Sequence, residues 1–413
     1  MKSKLKKIIG ICLSMVTAYS LSLPAYAELF DEYKSIYGEC KYQPDYEFDE
    51  QTGHLTIKDG VTFINKWAFS QRKMISITIP DSVKKIEKCA FCNCENLKEV
   101  TIPDSVTSIG EKAFIGCTGL TSITIGNGVT KIGESAFESC TGLTSVIIPG
   151  SVKRIDNGAF DNCTGLTSAT IGNGVTFIGS RLDLEQKTGA FADCTGLTEI
   201  IIPNSVTKIG RGAFEGCTGL TYVTIPNSVK EIGLRAFSRC ESLISINVDE
   251  ENQNFKSIDG VLFSKDMKTL IRYPSEKKAT DYIISDDVKE IGSDAFEGCT
   301  SLTYITIPNS IKRIGDFAFE YCTDLTSVTI PNSVKEIGSY AFWGCTGLIA
   351  VTIPNSIEEI GECAFSNCKG LTSVTISNSV KKVRDCAFKE VTIPKELDIT
   401  GVYFDKKVKI NRI

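Results

Sequence analysis

Cysteine is the most prominent chemically reactive residue in this sequence. The 413-residue chain contains seventeen cysteines but a single histidine, His54. Thiols can form disulfides, bind metals or act as nucleophiles, but a thiol nucleophile generally needs a histidine or another base beside it. One histidine cannot build a Ser/His/Asp or Cys/His catalytic set in the repeats, and the acidic residues are scattered without a glycosidase-like pairing. We therefore expect a protein that is not an enzyme and that uses no cofactor.

Most of the cysteines share one position of a repeating unit. Equivalent side chains in stacked units point in parallel and lie about one strand spacing apart, whereas a disulfide needs Cβ atoms about 3.8 Å apart and turned toward each other. We therefore predict a buried ladder of free thiols, with disulfides as the alternative. The ladder consists of Cys94, Cys117, Cys140, Cys163, Cys194, Cys217, Cys240, Cys299, Cys322, Cys345 and Cys368.

Five further cysteines of the predicted mature chain lie outside this register: Cys40, Cys89, Cys92, Cys363 and Cys386. Cys363 and Cys386 stand directly before Ala-Phe in adjacent units, so we expect them to be the most exposed pair. Cys89, Cys92 and Cys94 have the spacing C-x-x-C-x-C, which could suggest a metal site. Because Cys94 belongs to the inward ladder and no histidine lies nearby, we predict no metal site there.

The repeat that positions these cysteines is marked by Ala-Phe pairs. Nine of the twelve intervals between successive pairs are 23 residues. A fixed period in the range of 20–50 residues is the signature of a solenoid. The phenylalanines of these pairs are Phe69, Phe91, Phe114, Phe137, Phe160, Phe191, Phe214, Phe237, Phe296, Phe319, Phe342, Phe365 and Phe388.

Each unit reads A-F-x-x-C-x-x-L-x-x-V/I-x-I-P-x-S-V-x-x-I-G. The alternation at L-x-x-I-x-I predicts a short half-buried strand, which Pro or Gly ends. The V-x-x-I-G piece turns the chain back with two more inward residues, and we predict one turn of α-helix or 3₁₀-helix at A-F-x-x-C. The predicted fold is a repeat solenoid, a right-handed stack of short parallel strands with about 14 turns of 23 residues.

This unit resembles the BspA-like subclass of bacterial leucine-rich repeat proteins, over roughly Leu55 to Pro394. The resemblance implies a secreted or cell-surface protein of a host-associated microbe. It also implies a role in recognition or adhesion, with a protein or glycan of the host matrix or of another cell surface as partner. The alternative is a structural, envelope-spacing protein without a specific ligand, because one fold carries many functions.

The N-terminal segment favours export. Residues 1–27 combine a lysine-rich start, a short apolar run and the small-residue exit Ala25-Tyr26-Ala27, which is typical of a secretory signal peptide; a membrane anchor is the alternative. No later stretch reaches the ~20 apolar residues of a membrane span. We expect a secreted, extracellular protein, either free or held at the cell surface, with no membrane insertion after cleavage.

The remaining segments cover the ends of the solenoid or interrupt it. Residues 28–54 are predicted to form an N-terminal cap, with a binding segment as the alternative, and residues 395–413 a C-terminal cap. The solenoid spans residues 55–394. Its two interruptions are a loop insertion at 180–189, either on a working face or neutral drift, and a hairpin insertion at 249–281.

The outward strand positions give the candidate partner site. The net charge of −5 argues against a nucleic-acid surface. The residue two after Leu is small in most units, but it is Tyr222 and Tyr304 on either side of the hairpin insertion. Exposed tyrosine suits interfaces because one ring offers apolar area and a hydroxyl. We predict that Tyr222, Tyr304 and the neighbouring Glu199 bind a partner, with drift at a tolerant position as the alternative.

Overall fold

The computed structural model describes residues 45–179, 188–377, 379–384, 386–388, 390–393 and 409–412. In these residues the chain forms a β-solenoid of about 14 turns of roughly 23 residues with stacked parallel strands, which confirms the predicted fold class. The predicted signal peptide (1–27), most of the N-terminal cap, the inserted residues 180–187 and most of the C-terminal cap lie outside the described residues.

One side of the solenoid carries the longer strand of each unit. These strands alternate outward and inward residues, as Ser122–Ile125 does with two exposed and two buried side chains. They form sheets of order β1-β2-β4-β6-β8, β10-β12-β14-β16-β18 and β22-β24-β26-β28-β30, parallel except that β1 is antiparallel to β2. The strands are β1 (Tyr46–Asp49), β2 (His54–Ile57), β4 (Ser76–Thr78), β6 (Glu99–Ile102), β8 (Ser122–Ile125), β10 (Ser145–Ile148), β12 (Ser168–Ile171), β14 (Glu199–Ile201), β16 (Tyr222–Ile225), β18 (Ser245–Val248), β22 (Asp281–Ile283), β24 (Tyr304–Thr306), β26 (Ser327–Thr329), β28 (Ala350–Ile353) and β30 (Ser373–Ile376).

A second side carries two-residue strands from the V-x-x-I-G piece, whose isoleucine points inward. The first sheet of this side has the order β17-β15-β13-β11-β9-β7-β5-β3, and a second sheet continues after the interruption. Its members are β3 (Phe63–Ile64), β5 (Lys85–Ile86), β7 (Ser108–Ile109), β9 (Lys131–Ile132), β11 (Arg154–Ile155), β13 (Phe177–Ile178), β15 (Lys208–Ile209) and β17 (Glu231–Ile232). The second sheet includes β23 (Glu290–Ile291), β25 (Arg313–Ile314), β27 (Glu336–Ile337), β29 (Glu359–Ile360) and β31 (Lys382–Val383).

The regular spacing of the Ala-Phe pairs stacks phenylalanine rings along the solenoid axis. From Phe69 to Phe237 successive ring centroids are 4.9–5.8 Å apart. A second stack starts at Tyr273 and runs to Phe388 with centroids 4.9–5.2 Å apart. Each ring is covered by the units above and below it, so the core forms only because the units stack.

The A-F-x-x-C segment does not form the predicted one-turn helix, and the described residues contain no α-helix or 3₁₀-helix. The N–H of Ala113 donates to a carbonyl three residues earlier at 3.3 Å, but the N–H of Phe114 donates to Ala136 of the next unit at 2.8 Å. A helix needs successive N–H groups to bond within the segment, and here alternate groups bond the neighbouring unit. Lys112 and Gly116, whose N–H groups also bond the next unit, have left-handed backbone conformations with φ of 56° and 69°.

Side chains at repeat positions stabilise backbone carbonyls of the preceding unit. The thiol of Cys117 donates to the carbonyl of Phe91 at 3.1 Å, and the hydroxyl of Thr167 donates to Thr144 at 3.0 Å. The described ladder cysteines are free and, apart from the half-buried Cys368, fully buried, which confirms the predicted placement of the ladder. These contacts give most cysteines and threonines of the repeat a structural role.

The segment predicted to hold a hairpin insertion forms a three-stranded antiparallel meander. Its strands are β19 (Phe255–Ile258), β20 (Val261–Ser264) and β21 (Thr269–Arg272). Strand β21 then pairs in parallel with β23, so the meander starts the second sheet of short strands. The apolar core divides into two clusters at this point. We call the region between the stacks ending at Phe237 and starting at Tyr273 the junction.

At the N-terminal end of the described chain, Tyr46 lies edge-on to Phe69 with 5.2 Å between ring centroids. The guanidinium of Arg72 lies 4.7 Å from the Tyr46 ring centroid and donates to its hydroxyl at 2.7 Å. These contacts cover the first ring of the stack.

In the described residues the structure contains no helix that is long and apolar enough to cross a membrane. Strands β32 (Glu390–Ile393) and β33 (Lys409–Arg412) pair in parallel near the other end.

Candidate functional site

Two of the three residues predicted from the sequence lie side by side. Glu199 on β14 and Tyr222 on β16 are register partners in adjacent parallel strands, and both side chains are exposed. Ile201, two residues after Glu199 on the same outward side, is 60% exposed, and Tyr222 is 54% exposed. Outward side chains on adjacent strands are close enough to interact. Glu199, Ile201 and Tyr222 therefore form one surface, which we call the first strand patch.

The third residue, Tyr304, belongs to a different sheet. It lies on β24, where its register partner is Asp281 on β22. Between the two tyrosines lie β18 and the meander, and the N–H of Ile246 on β18 donates to Gly260 of the meander at 2.9 Å. The structure therefore joins Tyr222 with Glu199 and gives Tyr304 different strand neighbours.

The surroundings of Tyr304 repeat those of Tyr222. Asp281 is exposed, and Ile283, two residues later, is 73% exposed beside the 46% exposed Tyr304. We call Asp281, Ile283 and Tyr304 the second strand patch. Each patch has an acid and an isoleucine two residues apart on one strand and a tyrosine paired with the acid on the next strand.

Sequence reasoning missed Ile201, Asp281 and Ile283. The available signal was a departure from threonine: the column that holds Thr124, Thr170 and Thr224 holds isoleucine at Ile147, Ile201 and Ile283. Threonine suits an outward strand position by β-propensity alone. Isoleucine there exposes apolar area that the fold does not use, so these departures point to a surface that contacts something else.

Buried charges fill the junction between the two core clusters. Arg272 donates to the Glu297 carboxylate at 3.3 Å, to the Ser275 hydroxyl at 3.0 Å and to the carbonyl of Asp294. The backbone N–H of Arg239 donates to the same oxygen of the Glu297 carboxylate at 3.1 Å. Glu297 therefore also links the unit before the meander to the unit after it. The junction is therefore held by charge-assisted hydrogen bonds where the ring stack is interrupted.

Asp294 is the least satisfied of these groups. Its side chain is 4% exposed, neither carboxylate oxygen accepts a hydrogen bond in the described structure, and Arg235 Nε lies 3.9 Å away. Burial and then the nearby Glu297 raise the pKa of Asp294 to about 7, despite the opposing effect of Arg235 and Arg272. The junction thus contains an acid that titrates near neutral pH.

The reactive cysteine and histidine side chains in the described residues are held by the fold. The described residues contain no group of three or more His, Cys, Asp or Glu side chains placed to hold a metal ion. Burial raises the pKa of the Cys140 thiol to about 12, which disfavours the nucleophilic thiolate. His54 contacts the hydroxyls of Ser76 and Thr78 at 2.7 Å and 3.0 Å, which fixes its ring on the strand surface.

Comparison with protein families gives one match that covers most of the chain. The profile of the BspA-type leucine-rich repeat region matches residues 46–182, 185–276 and 272–394. These ranges include both strand patches and the junction. No curated protein shows significant similarity to the chain.

Several solved bacterial structures share the fold. A leucine-rich cell surface protein from Faecalibacterium prausnitzii is 32% identical, with a TM-score of 0.63 over 80% of this chain and 92% of that one. The pneumococcal vaccine antigen PcpA is 25% identical, with a TM-score of 0.57 over 89% of this chain and 85% of PcpA. A leucine-rich repeat protein from Eubacterium ventriosum, at 22% identity and a TM-score of 0.51 over 87% of this chain and 88% of that one, shares the fold alone.

Proposed function

The chain belongs to the BspA-type leucine-rich repeat family, and from this premise we propose that it is a secreted or cell-surface recognition protein without catalytic activity. It acts in adhesion by binding a protein or glycan partner on its outward strand surface. The partner belongs to the host matrix or to another cell surface, as the family resemblance implies.

The repeated acid, isoleucine and tyrosine arrangement of the two strand patches is the observation that carries this proposal. In the first patch Glu199 pairs in register with Tyr222, and in the second Asp281 pairs with Tyr304. Solvated strand surfaces usually carry polar residues. Two arrangements of the same three residue types, one on each side of the junction, are more readily explained by a shared binding role than by independent drift.

The residue types suit reversible recognition. Tyrosine contributes a large ring, loses little conformational entropy when it binds, and keeps a hydroxyl for hydrogen bonding. The exposed isoleucine supplies apolar area beside it, and the acid gives directionality. Because neither patch is enclosed, we propose a partner with an extended surface, such as a protein segment or a polysaccharide chain, rather than a small molecule.

A surface role agrees with what the similar structures are. One of them is called a leucine-rich cell surface protein and another a vaccine antigen. Those descriptions concern those proteins; for this chain, export rests on the lysine-rich start and small-residue exit of residues 1–27. Detection of the mature protein outside the producing cell, with its N-terminus at residue 28, would test that part of the proposal separately.

The binding test uses the purified protein in solution over immobilised extracellular-matrix proteins, oligosaccharides and whole bacterial cells. Saturable binding to one of them, weakened by Tyr222→Ser and Tyr304→Ser together, supports the proposal. The serines restore the residue found at Ser122 and Ser145, so the fold should be retained. Saturable binding that is unaffected by the double variant would remove the strand patches as the site. Absence of saturable binding to every surface would favour the structural, envelope-spacing alternative.

A further inference from the structure

Four aromatic residues cluster on the side of the solenoid formed by the A-F-x-x-C turns. They are Phe317 and Tyr340, each two residues before a core phenylalanine, and Tyr321 and Trp343, which follow the core rings. In most units the equivalent residues are small or polar, for example Ser135. We call these four residues the turn-face aromatic cluster.

The four rings are packed as two pairs. Phe317 and Tyr340 are stacked with centroids 4.9 Å apart and planes 8° from parallel. Tyr321 and Trp343 meet edge to face at 4.6 Å. Tyr321 also covers Gly344, where a Cβ atom would lie 2.9 Å from its ring, yet 44% of the tyrosine remains exposed. Within each pair the two rings hold each other in place, and Tyr321 still presents ring surface to solvent.

Acidic side chains border these rings. The hydroxyl of Tyr340 donates to the Glu362 carboxylate at 3.3 Å, and Glu320 directly precedes Tyr321. Burial, followed by the charges of Glu297 and Asp294, raises the pKa of Glu320 to about 7, although Arg235 and Arg239 oppose the shift. Burial and the neighbouring acids thus disfavour the charged form of Glu320, and an added cation beside it would favour that form.

The protein already places one of its own cations on this cluster. The guanidinium of Arg235 lies 5.5 Å from the Phe317 ring centroid and forms an ion pair with Glu215 at 2.9 Å. An aromatic face together with a carboxylate is a favourable environment for guanidinium. Arg235 is therefore an example, within the chain, of a guanidinium held by a ring face and a carboxylate. We expect the remaining rings and Glu320 to contact the cation of a partner in the same way.

We propose that the turn-face aromatic cluster, together with Glu320 and Glu362, binds an arginine or lysine side chain presented by an extended basic segment of a partner protein. The ring faces bind the cation and its alkyl stem, and the carboxylates complete the charge pair. This surface uses residues other than those of the strand patches, so the inference stands independently of the proposed adhesion site.

A neutral sugar could also stack on exposed rings, but it would leave the excess acidic charge uncompensated. The charge of Glu320 and its acidic neighbours therefore favours a basic protein segment over a neutral glycan. The two possibilities predict opposite effects of Glu320→Gln: the loss of charge weakens binding of a cation and changes binding of a neutral sugar little.

The experiment uses the fluorescence of Trp343. The chain has two tryptophans, so Trp67→Phe leaves Trp343 as the single reporter. The probe is an acetylated nonaarginine amide, with a nonaglutamate peptide and neutral oligosaccharides as comparisons. Titration calorimetry on variants that keep Trp67 repeats every comparison, so the result does not depend on the reporter variant folding.

We expect saturable binding of nonaarginine with a change in Trp343 emission, and a loss of affinity of about fivefold or more in Glu320→Gln and in Tyr321→Asn. Asparagine occurs at the equivalent positions Asn93 and Asn162, which have similar left-handed φ, so Tyr321→Asn should keep the fold. The matched control is Glu95→Gln, which removes an exposed acid elsewhere.

Three results would overturn the proposal. The first is no saturable binding of nonaarginine to the full chain. The second is equal affinity of Glu320→Gln, Tyr321→Asn and the Glu95→Gln control, which would mean only general attraction to an acidic protein. The third is binding of a neutral oligosaccharide that Tyr321→Asn abolishes while nonaarginine does not bind, which would assign the surface to a glycan.

Discussion

Arg272 and Glu297 form a nearly solvent-excluded ion pair at the junction, with 3.3 Å between Nη1 and Oε2 and side-chain exposures of 4% and 3%. Arg272 also donates to the backbone carbonyl of Glu297 at 3.2 Å. Arg272 ends the meander, and Glu297 follows the core ring Phe296 of the next unit. The pair thus links the inserted strands to the second stack of rings.

Removing one partner of this pair should destabilise the junction strongly. Arg272→Met leaves Glu297 buried and uncompensated, and we expect the free energy of unfolding to fall by about 3–5 kcal/mol. The double variant Arg272→Met/Glu297→Met should recover a substantial part of that loss, because the unpaired Glu297 carboxylate is removed as well. Denaturant unfolding measures both values.

An exposed ion pair provides the control for this prediction. Lys381 and Glu358 pair at 2.9 Å with side-chain exposures of 72% and 66%. Lys381→Met should change the free energy of unfolding by no more than about 1 kcal/mol. An Arg272→Met variant as stable as Lys381→Met would contradict a structural role for the buried pair.

The core phenylalanines should each contribute substantially to stability. Phe214 is fully buried between Phe191 and Phe237, at centroid distances of 5.8 Å and 5.7 Å. Phe214→Ala should lower the free energy of unfolding by about 3–5 kcal/mol through lost burial and the cavity left behind. Thr224→Ala, at an exposed strand position, is the control. Equal denaturation midpoints for the two variants would show that the ring stack does not stabilise this unit.

The 23-residue period predicted the stacked strands, the buried phenylalanines and the thiol ladder, because inward positions must match between units that cover one another. It could not predict the conformation around Phe114, since the bond from its N–H to Ala136 is a contact between units. The junction was also hidden: Arg272 lies in the inserted segment outside the 23-residue register, although Asp294 and Glu297 occupy ordinary repeat positions beside Phe296. Only the folded meander brings these charges together.

The second strand patch shows the same limitation for the candidate site. Tyr222 and Tyr304 depart from a serine column and could be found by alignment of the units. The pairing of Asp281 with Tyr304 depends on where the chain rejoins the solenoid after the meander. An irregular insertion hides that register from the sequence.

Stability should fall as pH rises through neutrality, with Asp161 contributing beside Asp294 and Glu320. Burial and then the charges of Glu138 and Asp193 raise the pKa of Asp161 to about 8, against an ordinary value near 3.8. The folded protein therefore holds a proton that the unfolded chain releases near pH 4, so this contribution to stability is complete below pH ~4 and lost as pH rises to ~8.

The measurement for Asp161 is the denaturation midpoint at about pH 5, 6.5 and 8. Asp161→Asn should make the decline less steep, because an amide needs no proton to remain neutral. The control Asp81→Asn removes an exposed carboxyl from another unit and should keep the wild-type slope. A wild-type slope in Asp161→Asn would exclude this residue as a cause of the pH dependence.

The ladder thiols should react slowly in the native protein. Cys163 and Cys217, for example, are fully buried, and desolvation is the main cause that raises their pKa well above the ordinary value. The half-buried Cys363 and Cys386 should react first with an aromatic disulfide reagent. Thiol titration before and after denaturation, followed by mass spectrometry of the labelled peptides, distinguishes the groups. Rapid native labelling of most ladder cysteines, or their recovery as disulfides, would contradict the buried ladder.

The two strand patches should contribute separately to partner binding. Tyr222→Ser and Tyr304→Ser each remove an exposed ring, so neither should change the free energy of unfolding by more than about 0.5 kcal/mol. If the patches contact two parts of one extended partner, each single variant weakens binding and the double variant weakens it more than either alone.

Isoleucine gives an independent test of the same surface. Ile201→Thr and Ile283→Thr introduce the residue that most other units carry in that column, as at Thr170 and Thr224. We expect each to weaken binding of the partner found with the unmodified protein, because apolar area next to the tyrosine is lost, while the far-ultraviolet circular dichroism spectrum is retained. The same substitution at Ile147, which has no tyrosine opposite it, is the control and should leave affinity unchanged. Equal losses at Ile147, Ile201 and Ile283 would mean that apolar area anywhere on the strand surface suffices, and would remove the special role of the acid, isoleucine and tyrosine arrangement.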